Sequence, residues 1–214
     1  MYRFDKVRST NKVAKDLIGK EDEDFVVVAG EQSAGRGRKD RLWRSPPGSL
    51  YFSIGVERER LLPLKASVAV ARTLEGLGSS PALKWPNDVL LRGKKVCGIL
   101  VESTGERAVV GIGLNVKTAP VEDSTCLNFL LDRTLSKDEI MKGILHRFYS
   151  FEDSQEVLEA YRGYCSTIGS QVKIDTGKGT LKGLVKDVDE NGRLVLEDGK
   201  KVVAGDVVHL RKKS

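Results

Sequence analysis

One long irregular segment, residues 30–49, constrains the fold more than any other feature of the chain. It separates two apolar runs, FVVVA (25–29) and LYFSIGVE (50–57), which predict buried strands. The segment itself reads GEQSAGRGRKDRLWRSPPGS and shows no helical or strand periodicity. Irregular loops of this length inside compact domains are usually functional or disordered. The sequence therefore predicts a sheet that carries an arginine-rich functional loop.

The positive charge of the chain is concentrated in that loop. The 214 residues hold 36 Lys and Arg against 30 Asp and Glu, a formal net charge of +6. Residues 35–44 contribute five basic groups and one acidic group, and the tail Arg211–Lys213 adds three more basic groups. The excess therefore comes from one loop and a tail instead of a broad basic face. Such a loop suits a phosphorylated small molecule at least as well as a nucleic acid.

The composition argues against a membrane-spanning or secreted protein. The longest apolar runs, such as 25–30 and 108–114, fall far short of the roughly 20 residues that cross a bilayer. The N-terminus, MYRFDKVRST, lacks the apolar region of a signal peptide. Cys97, Cys126 and Cys165 lie far apart and form no CxxC pair, which favours reduced thiols. We therefore expect a cytoplasmic protein without a membrane partner.

The sequence pattern changes near residue 167, from mixed strand and helix patterns to short strands only, and this change predicts two domains, 1–167 and 168–214. The first domain is expected to form strands and helices, with strands at 2–7, 25–29, 50–57, 82–85, 89–91, 95–104 and 108–116, and helices at 11–18, 63–77, 136–151 and 154–165. Ser9 is placed to cap the first helix, Ser136 and Glu139 form a capping box, and the chain is expected to turn helical beyond Pro120. After Gly169, five short strands separated by glycine-containing turns predict a small all-β barrel.

The loop carries the first group of candidate functional residues. Glycines at 35 and 37 allow close approach of the backbone, and three arginines can grip phosphate or carboxylate groups. Trp43 offers a flat face on which a base could stack. Taken alone, the same residues are also typical of a solvated surface or an RNA-binding segment.

Three further motifs carry polar or glycine residues at unusual places. KWPND (84–88) with Lys95 sets two lysines, an amide and a carboxylate on adjoining strands, although a polar turn would also explain them. Residues 9–11, Ser-Thr-Asn, provide neutral hydrogen-bonding groups but also fit plain helix capping. Glycines in the apolar strand GIGLNV (111–116) suggest that something packs closely against the backbone, or else a bulge.

In this order and spacing, the motifs resemble one enzyme family. The blocks VRSTN, EQSAGRGRKDRLWRSPPGSLYFS, KWPNDVLL, KKVCGILVE and GIGLNV resemble the catalytic domain of the biotin–protein ligases, or biotin–[acetyl-CoA-carboxylase] ligases. The five C-terminal strands resemble the SH3-like module of the same family. The resemblance implies an α+β fold, with a mixed sheet flanked by helices (class II aminoacyl-tRNA synthetase-like, the biotin–lipoate ligase fold) and a small C-terminal SH3-like β-barrel.

The resemblance implies an ATP-dependent, AMP-forming ligase with Mg²⁺ as cofactor. Biotin is activated as biotinyl-5′-AMP with release of pyrophosphate, and is then transferred to a lysine of a biotin carboxyl carrier protein. A homodimer is also expected. Larger family members add an N-terminal winged helix that binds operator DNA. Because the catalytic strand begins here within the first ten residues, we expect the form without that domain and no operator DNA.

The resemblance also assigns site residues by motif. Those expected to bind biotin are Ser9, Thr10, Asn11, Gln32, Gly35, Arg36, Lys95 and Gly98. Those expected to bind ATP are Arg36, Arg38, Arg41, Trp43, Lys84, Asn87 and Asn115. The catalytic candidates are Arg38, Lys84, Asp88 and Lys95. Asp88 either orients the incoming lysine or binds Mg²⁺, and Asp40 replaces a glycine that the family commonly has near this position.

Three alternatives stay open at this point. A lipoate–protein ligase shares the fold and the adenylation chemistry, but lacks this combination of GRGR, Trp and KWPND motifs. A basic RNA-binding or scaffold protein could use the loop, the tail and the small barrel. An inactive homologue could bind biotin only.

Overall fold

The computed structural model describes residues 1–131, 134–177 and 179–210. The basic tail Arg211–Lys213 lies outside the described residues. The strands are β1 (Tyr2–Val7), β2 (Phe25–Gln32), β3 (Leu50–Glu57), β4 (Pro81–Lys84), β5 (Asp88–Leu91), β6 (Lys94–Thr104), β7 (Arg107–Leu114), β8 (Gln171–Asp175), β9 (Thr180–Val188), β10 (Leu194–Leu196), β11 (Lys201–Val202) and β12 (Asp206–His209). The helices are α1 (Thr10–Leu17), α2 (Leu62–Gly76), α3 (Leu127–Leu131), α4 (Lys137–Tyr149) and α5 (Ser154–Tyr164).

Strands β1 to β7 form one mixed sheet in the order β1-β2-β3-β7-β6-β5-β4. β1 and β2 run parallel, and the other neighbouring strands are antiparallel. The α+β class with a mixed sheet and flanking helices, predicted from the sequence, is confirmed. Strands β8 to β12 form a separate antiparallel sheet in the order β11-β10-β9-β8-β12, consistent with the predicted SH3-like domain. The boundary at residue 167 stays a prediction.

The two faces of the large sheet bury different helices. Successive strand residues point to opposite faces, so β2 sends Val26 and Val28 to the main core beneath α2, α4 and α5, and Phe25 and Val27 to a smaller cluster beneath α1. The other central strands divide in the same way. The α1 face is therefore only partly covered by a helix, and the rest of it is open to ligands.

The two sheets are joined by specific contacts. The indole of Trp85, just after β4, donates to the Gly192 carbonyl at 3.0 Å, and Arg162 of α5 forms two hydrogen bonds of 2.8 Å to the Asp187 carboxylate. The backbone N–H of Trp85 donates to Thr167 Oγ1, which also lies 3.1 Å from His209 Nε2. These contacts fix β12 near the end of β4, where the KWPND motif lies.

Several local expectations differ from the structure. Ser9 occupies the N-cap position of α1, but its side chain makes no capping hydrogen bond. Residues 117–126 form turns, so that the helix expected beyond Pro120 begins only at Leu127. Ser136 Oγ does accept from the Glu139 N–H, as the capping box predicted. In the described part of the chain, no helix is long and apolar enough to cross a membrane.

Candidate active site

A cavity of about 440 Å³ opens over the exposed part of the α1 face. Its size lies in the usual range of roughly 300–1,000 Å³ for ligand pockets. The walls gather almost every residue proposed from the sequence: Ser9, Thr10, Asn11, Gln32, Arg36, Arg38, Arg41, Trp43, Lys84, Asn87, Asp88, Lys95, Gly98 and Asn115. Gly35 is the exception, because it lies behind the wall, where its carbonyl accepts from the Trp43 N–H at 2.9 Å. A Cβ at Gly35 would come within 2.6 Å of Ser45 Oγ, so this glycine is required for packing of the loop.

Glycines form the floor of the cavity. A Cβ at Gly111 would overlap Asn11 Oδ1, and one at Gly113 would overlap the Trp43 indole. A Cβ at Gly98 would lie only 2.9 Å from the same indole ring. β7 pairs with both neighbours without a register shift, so its glycines mark close packing instead of a bulge. The prediction that a group packs tightly on the GIGLNV strand is therefore confirmed.

One end of the cavity is lined by neutral hydrogen-bonding groups. Gln32 Oε1 accepts from the backbone N–H of Thr10 at 2.8 Å and from its hydroxyl at 3.1 Å. Because these donors fix the amide orientation, Gln32 Nε2 faces Ser45 Oγ, to which it donates at 2.8 Å. Ser53 Oγ, fully buried on β3, lies 2.8 Å from Thr10 Oγ1 and 2.7 Å from Asn11 Oδ1, and its one hydroxyl hydrogen can be donated to either. This end is rigid before any ligand binds.

The cations of the loop are held mostly by carboxylates. Arg36 forms an ion pair with Asp40 at 2.7 Å and lies 3.6 Å from Glu102, and its pKa is raised, chiefly by the hydrogen bond to Asp40. Lys39 and Arg41 both pair with Asp206, at 3.2 and 2.5 Å. Although partial burial acts to raise the pKa of Asp206, these two cations hold it below its usual value. Three of the five basic side chains in residues 35–44 thus form ion pairs with carboxylates of the protein.

Arg38 differs from its neighbours. Its guanidinium donates to the Gly205 carbonyl at 3.1 Å and to Asn87 Oδ1 at 3.5 Å, and within the described ranges it forms no ion pair. Burial lowers the pKa of Arg38 from its ordinary value, although the nearby negative charge of Asp206 acts to raise it. A partly desolvated cation that no described carboxylate contacts directly favours an anionic ligand at this point.

The KWPND strands supply a second charged group. Lys95 Nζ lies 2.5 Å from Asp88 Oδ1 and also 5.1 Å from the centre of the Trp43 ring. Asn87 holds the start of this turn against β6, because its Nδ2 donates to the Ile99 carbonyl at 2.9 Å. Lys84 lines the same wall. The structure brings all four residues of this motif to one cavity, although Asp88 is already paired with Lys95.

Among the described residues, two buried polar atoms of the cavity wall have no hydrogen-bond partner. Asn115 is 1% exposed, and its Nδ2 donates to the Thr125 carbonyl, but its Oδ1 accepts no hydrogen bond. The indole Nε1 of Trp43 likewise has none. An unsatisfied buried polar atom costs about 1–3 kcal/mol. An acceptor and a donor are therefore available to a ligand.

Sequence reasoning missed a whole wall of the site. Gly205 to Val208, at the start of β12, line the cavity together with Pro120, Val121 and Ser124. Leu42 and Val208 leave 67% and 55% of their surfaces exposed at its edge. The GD turn before β12 carried no signal beyond turn chemistry. Only its packing against the arginine loop reveals its role.

Protein side chains alone do not form a metal cage here. Among the described residues, no group of three or more His, Cys, Asp or Glu side chains is placed to hold a metal ion. Mg²⁺ is commonly held by one or two carboxylates together with substrate phosphates and water. Asp88, the carboxylate proposed from the sequence, fits that limited role only if its ion pair with Lys95 is replaced by a contact with Mg²⁺.

Comparison with known proteins agrees with this geometry. Residues 3–118 match the biotin/lipoate A/B protein ligase family, and residues 167–210 match the biotin protein ligase C terminal domain. The biotin–[acetyl-CoA-carboxylase] ligase of Mycobacterium tuberculosis is 35% identical over 98% of this chain and 90% of its own length. The bifunctional ligase/repressor BirA of Bacillus subtilis is 31% identical over 95% of this chain and 72% of its own length.

A solved structure shows the same architecture. The biotin protein ligase from Aquifex aeolicus in complex with biotin and ATP superimposes with a TM-score of 0.85, at 28% identity and 98% coverage of both chains. Both sheets are included in that coverage. The chain therefore belongs to the biotin/lipoate A/B protein ligase family and, within it, to the biotin protein ligases.

Proposed function

We propose that this protein activates biotin with ATP and transfers it to a lysine of a biotin carboxyl carrier protein. The observation that carries the proposal is a single cavity with two chemically different ends. Neutral amides and hydroxyls from α1 and β2 line one end, and arginines and lysines from the loop, β4 and β6 line the other. The neutral end fits a ligand with a polar uncharged ring, and the cationic end fits a triphosphate. The carboxylate of the first ligand would then meet the triphosphate between the two ends.

The neutral end is proposed to bind the ureido ring of biotin. That ring presents one carbonyl and two N–H groups, which need donors and acceptors but no charge. Thr10, Asn11 and Gln32 supply such groups, and the Ser9 hydroxyl, which does not cap α1, is available as well. Arg36, held near this end by Glu102, is proposed to face the carboxylate of biotin.

The cationic end is proposed to bind ATP. Arg38 and Arg41 would contact phosphate oxygens, together with Lys84 and with Asn87, whose Oδ1 lies 3.5 Å from Arg38. Trp43 supplies a flat surface for the adenine, and Asn115 Oδ1 is an unpaired acceptor suited to an exocyclic amino group. A ligand without hydrogen-bond donors would bind less well at this end, because the Asn115 Oδ1 atom would then stay without a hydrogen bond.

The first step needs positioning and charge balance instead of a protein nucleophile. A carboxylate oxygen of biotin forms a bond to the α-phosphorus of ATP, and the bond to the pyrophosphate oxygen breaks. Two anions must approach each other, so cations fixed near the reacting atoms lower the barrier. Lys95 and Arg38 are the candidates, since Asp88 holds Lys95 at the cavity and Arg38 forms no ion pair with a described residue.

The second step transfers the acyl group. The amine of the carrier lysine forms a bond to the acyl carbon of biotinyl-5′-AMP, and the bond to the AMP phosphate oxygen breaks. The lysine arrives as an ammonium and must lose a proton first. Asp88, whose carboxylate already holds one ammonium group at 2.5 Å, is proposed to orient it.

Mg²⁺, when bound with ATP, would neutralise part of the phosphate charge. The phosphates would supply most of its ligands, and Asp88 is the one carboxylate of this motif that could add to them. Orienting the lysine and binding Mg²⁺ are alternative roles of Asp88. The ion pair with Lys95 supports the first, because the same oxygen already faces an ammonium group.

The arginine loop is proposed to close over the mixed anhydride. Excluding water protects a labile intermediate from hydrolysis. Contacts of the loop with Gly205 and Asp206 support this role, because they tie residues 38–41 to the C-terminal domain across the cavity. Ligand-dependent protection of the loop from protease would be the direct sign of closure.

The decisive assay is ATP–pyrophosphate exchange that requires biotin. We expect exchange with biotin and none with lipoate or octanoate as matched controls. Exchange with lipoate instead of biotin would favour the lipoate–protein ligase alternative, and biotin binding without exchange would indicate an inactive homologue. Salt-sensitive RNA binding without exchange would favour the RNA-binding alternative. The pairing of loop cations with Asp40, Glu102 and Asp206 argues against that last one.

Two further expectations belong to the same proposal. A homodimer is proposed on the family resemblance, and β1 leaves one edge of the large sheet unpaired within the described chain. Sedimentation velocity with and without biotin and ATP tests it. A cytoplasmic location is proposed as well, consistent with three buried cysteines that form no disulfide in the structure.

A further inference from the structure

Glu102 connects three parts of the neutral end of the cavity. It lies on β6, on the α1 face of the sheet, and its side chain is 17% exposed. One carboxylate oxygen, Oε1, lies 2.5 Å from Lys15 Nζ and 3.6 Å from the Arg36 guanidinium. The other, Oε2, accepts from Asn11 Nδ2 at 2.8 Å. The sequence motifs assign no role to this residue, and the proposed function uses it only to hold Arg36.

The carboxylate of Glu102 is ionised and can only accept hydrogen bonds. Although burial acts to raise its pKa, the hydrogen bonds from Lys15 and Asn11, with the charge of Arg36, hold the pKa below its usual value. An ionised carboxylate has no proton to donate. Whatever side chain faces Oε2 must therefore present a donor.

This restriction determines which way the Asn11 amide points. Asn11 Nδ2 faces Glu102 Oε2 and also the Leu100 carbonyl, at 3.3 Å, and both partners are acceptors only. The amide oxygen must then point the other way, where it accepts from Ser53 at 2.7 Å. It lies directly over Gly111, on the floor of the cavity, where a Cβ would overlap it. One of its two lone pairs remains for a ligand.

We propose that Glu102 is a positioning residue that holds Asn11 as a hydrogen-bond acceptor for an N–H group of the bound ligand. The inference rests on the proposed function, in which that group is a ureido N–H of biotin. If Asn11 turned over, its NH₂ would meet the ligand N–H, and two donors would face each other. Glu102 itself acts only through Asn11.

Moving the carboxylate from position 102 to position 11 tests whether Glu102 orients Asn11. In Glu102→Gln, the new amide can donate to Asn11, which permits the reversed orientation. In Asn11→Asp, the cavity still meets an oxygen, but two carboxylates face each other. In the double variant Asn11→Asp/Glu102→Gln, the glutamine donates to the aspartate and an oxygen again faces the cavity. Lys15→Met is the matched control, because it removes a Glu102 contact that does not involve Asn11 and leaves the contact with Arg36 in place.

Biotin affinity is measured by calorimetry on each purified full-length variant, together with KM for ATP and kcat. We expect about tenfold weaker biotin binding in each single variant, from one mismatched hydrogen bond, and a much smaller change in KM for ATP. The double variant is expected to return to within about threefold of wild type, and Lys15→Met to stay there. A merely structural role would not produce a rescue confined to biotin binding.

Two results would overturn the inference. One is a biotin affinity in Glu102→Gln equal to wild type, and the other is a double variant no better than either single one. If Glu102→Gln does not fold, the comparison of Asn11→Asp with the double variant decides alone, because adding the second substitution must improve binding. Wild-type protein that binds no biotin would instead refute the proposed function, which keeps the two failures distinguishable.

Discussion

Replacement of Arg38 by alanine tests whether the arginine loop retains the reaction intermediate. In the structure Arg38 contributes little to folding, since it has one good hydrogen bond, to the Gly205 carbonyl, and remains partly desolvated without an ion pair within the described residues. We therefore expect a loss of stability below about 1 kcal/mol, or roughly 2–4 °C in Tm for a chain of this size.

The effect on the intermediate should be much larger. A guanidinium can hold a phosphate with charge-assisted hydrogen bonds that are worth about 1.5–3 kcal/mol, and each 1.4 kcal/mol is about tenfold in affinity. Retention of biotinyl-5′-AMP should accordingly fall by about ten- to a hundredfold. Adenylation should fall less, because Arg36, Arg41 and two lysines still line the cavity.

The assay is mass spectrometry of lysines on an unrelated bystander protein incubated with enzyme, biotin and ATP. Arg38→Ala should raise bystander biotinylation in step with release of the adenylate. Arg60→Ala is the matched control, because that arginine has only a 3.4 Å contact with Asn191 and does not line the cavity. If the variant makes the adenylate but labels bystanders no more than wild type does, Arg38 does not help the loop to retain it.

Three further substitutions give separate tests. Lys95→Ala should slow biotin-dependent pyrophosphate exchange by about 10²- to 10³-fold, since it removes a cation from the reacting charges and leaves Asp88 without its ion-pair partner. Near-normal exchange by the folded variant would refute the assignment. Asp206→Asn should speed trypsin cleavage of the ligand-free arginine loop by up to about 30-fold, because it removes two ion pairs of up to about 1 kcal/mol each. Asp198→Asn, in the same domain, should not. Burial, followed by the charge of Lys84, lowers the pKa of His209 below 6.5, so the unfolded chain binds a proton at this residue more readily than the folded chain does. Thermal stability should therefore fall as the pH drops below about 6.5. A His209→Gln variant whose stability falls with the same slope would contradict this explanation.

The order of elements could be predicted from local sequence patterns. The β-branched runs, the helical spacing after Pro63 and the glycine turns after Gly169 each depend on residues close together in the chain. The glycines of GIGLNV were also informative, because glycine in an apolar strand has few explanations other than close packing. Ser9 shows the limit of this reasoning: its position before α1 was predicted, but its side chain does not cap.

Most of the proposed site residues were found because they occur in compact motifs. The residues that were missed, Glu102 and Ser53, lie at the ends of two of the motif blocks but were assigned no role there. Glu102 is one acidic residue at the end of an apolar strand, and Ser53 is one hydroxyl in a buried strand; both become notable only beside Asn11. Gly35 was placed in the biotin site, yet the structure puts it behind the wall, packed against Ser45.

The sequence by itself determined the strands, the helices, the position of the arginine loop and the residue types available for chemistry, because these follow from side-chain periodicity and backbone preference. Only the tertiary structure decided which charges meet. Arg38 contacts Gly205 across 167 positions of the chain, and Arg41 meets Asp206 across 165. Partners so far apart are chosen by how the two sheets pack, and the energy of each contact depends on burial that no local pattern records.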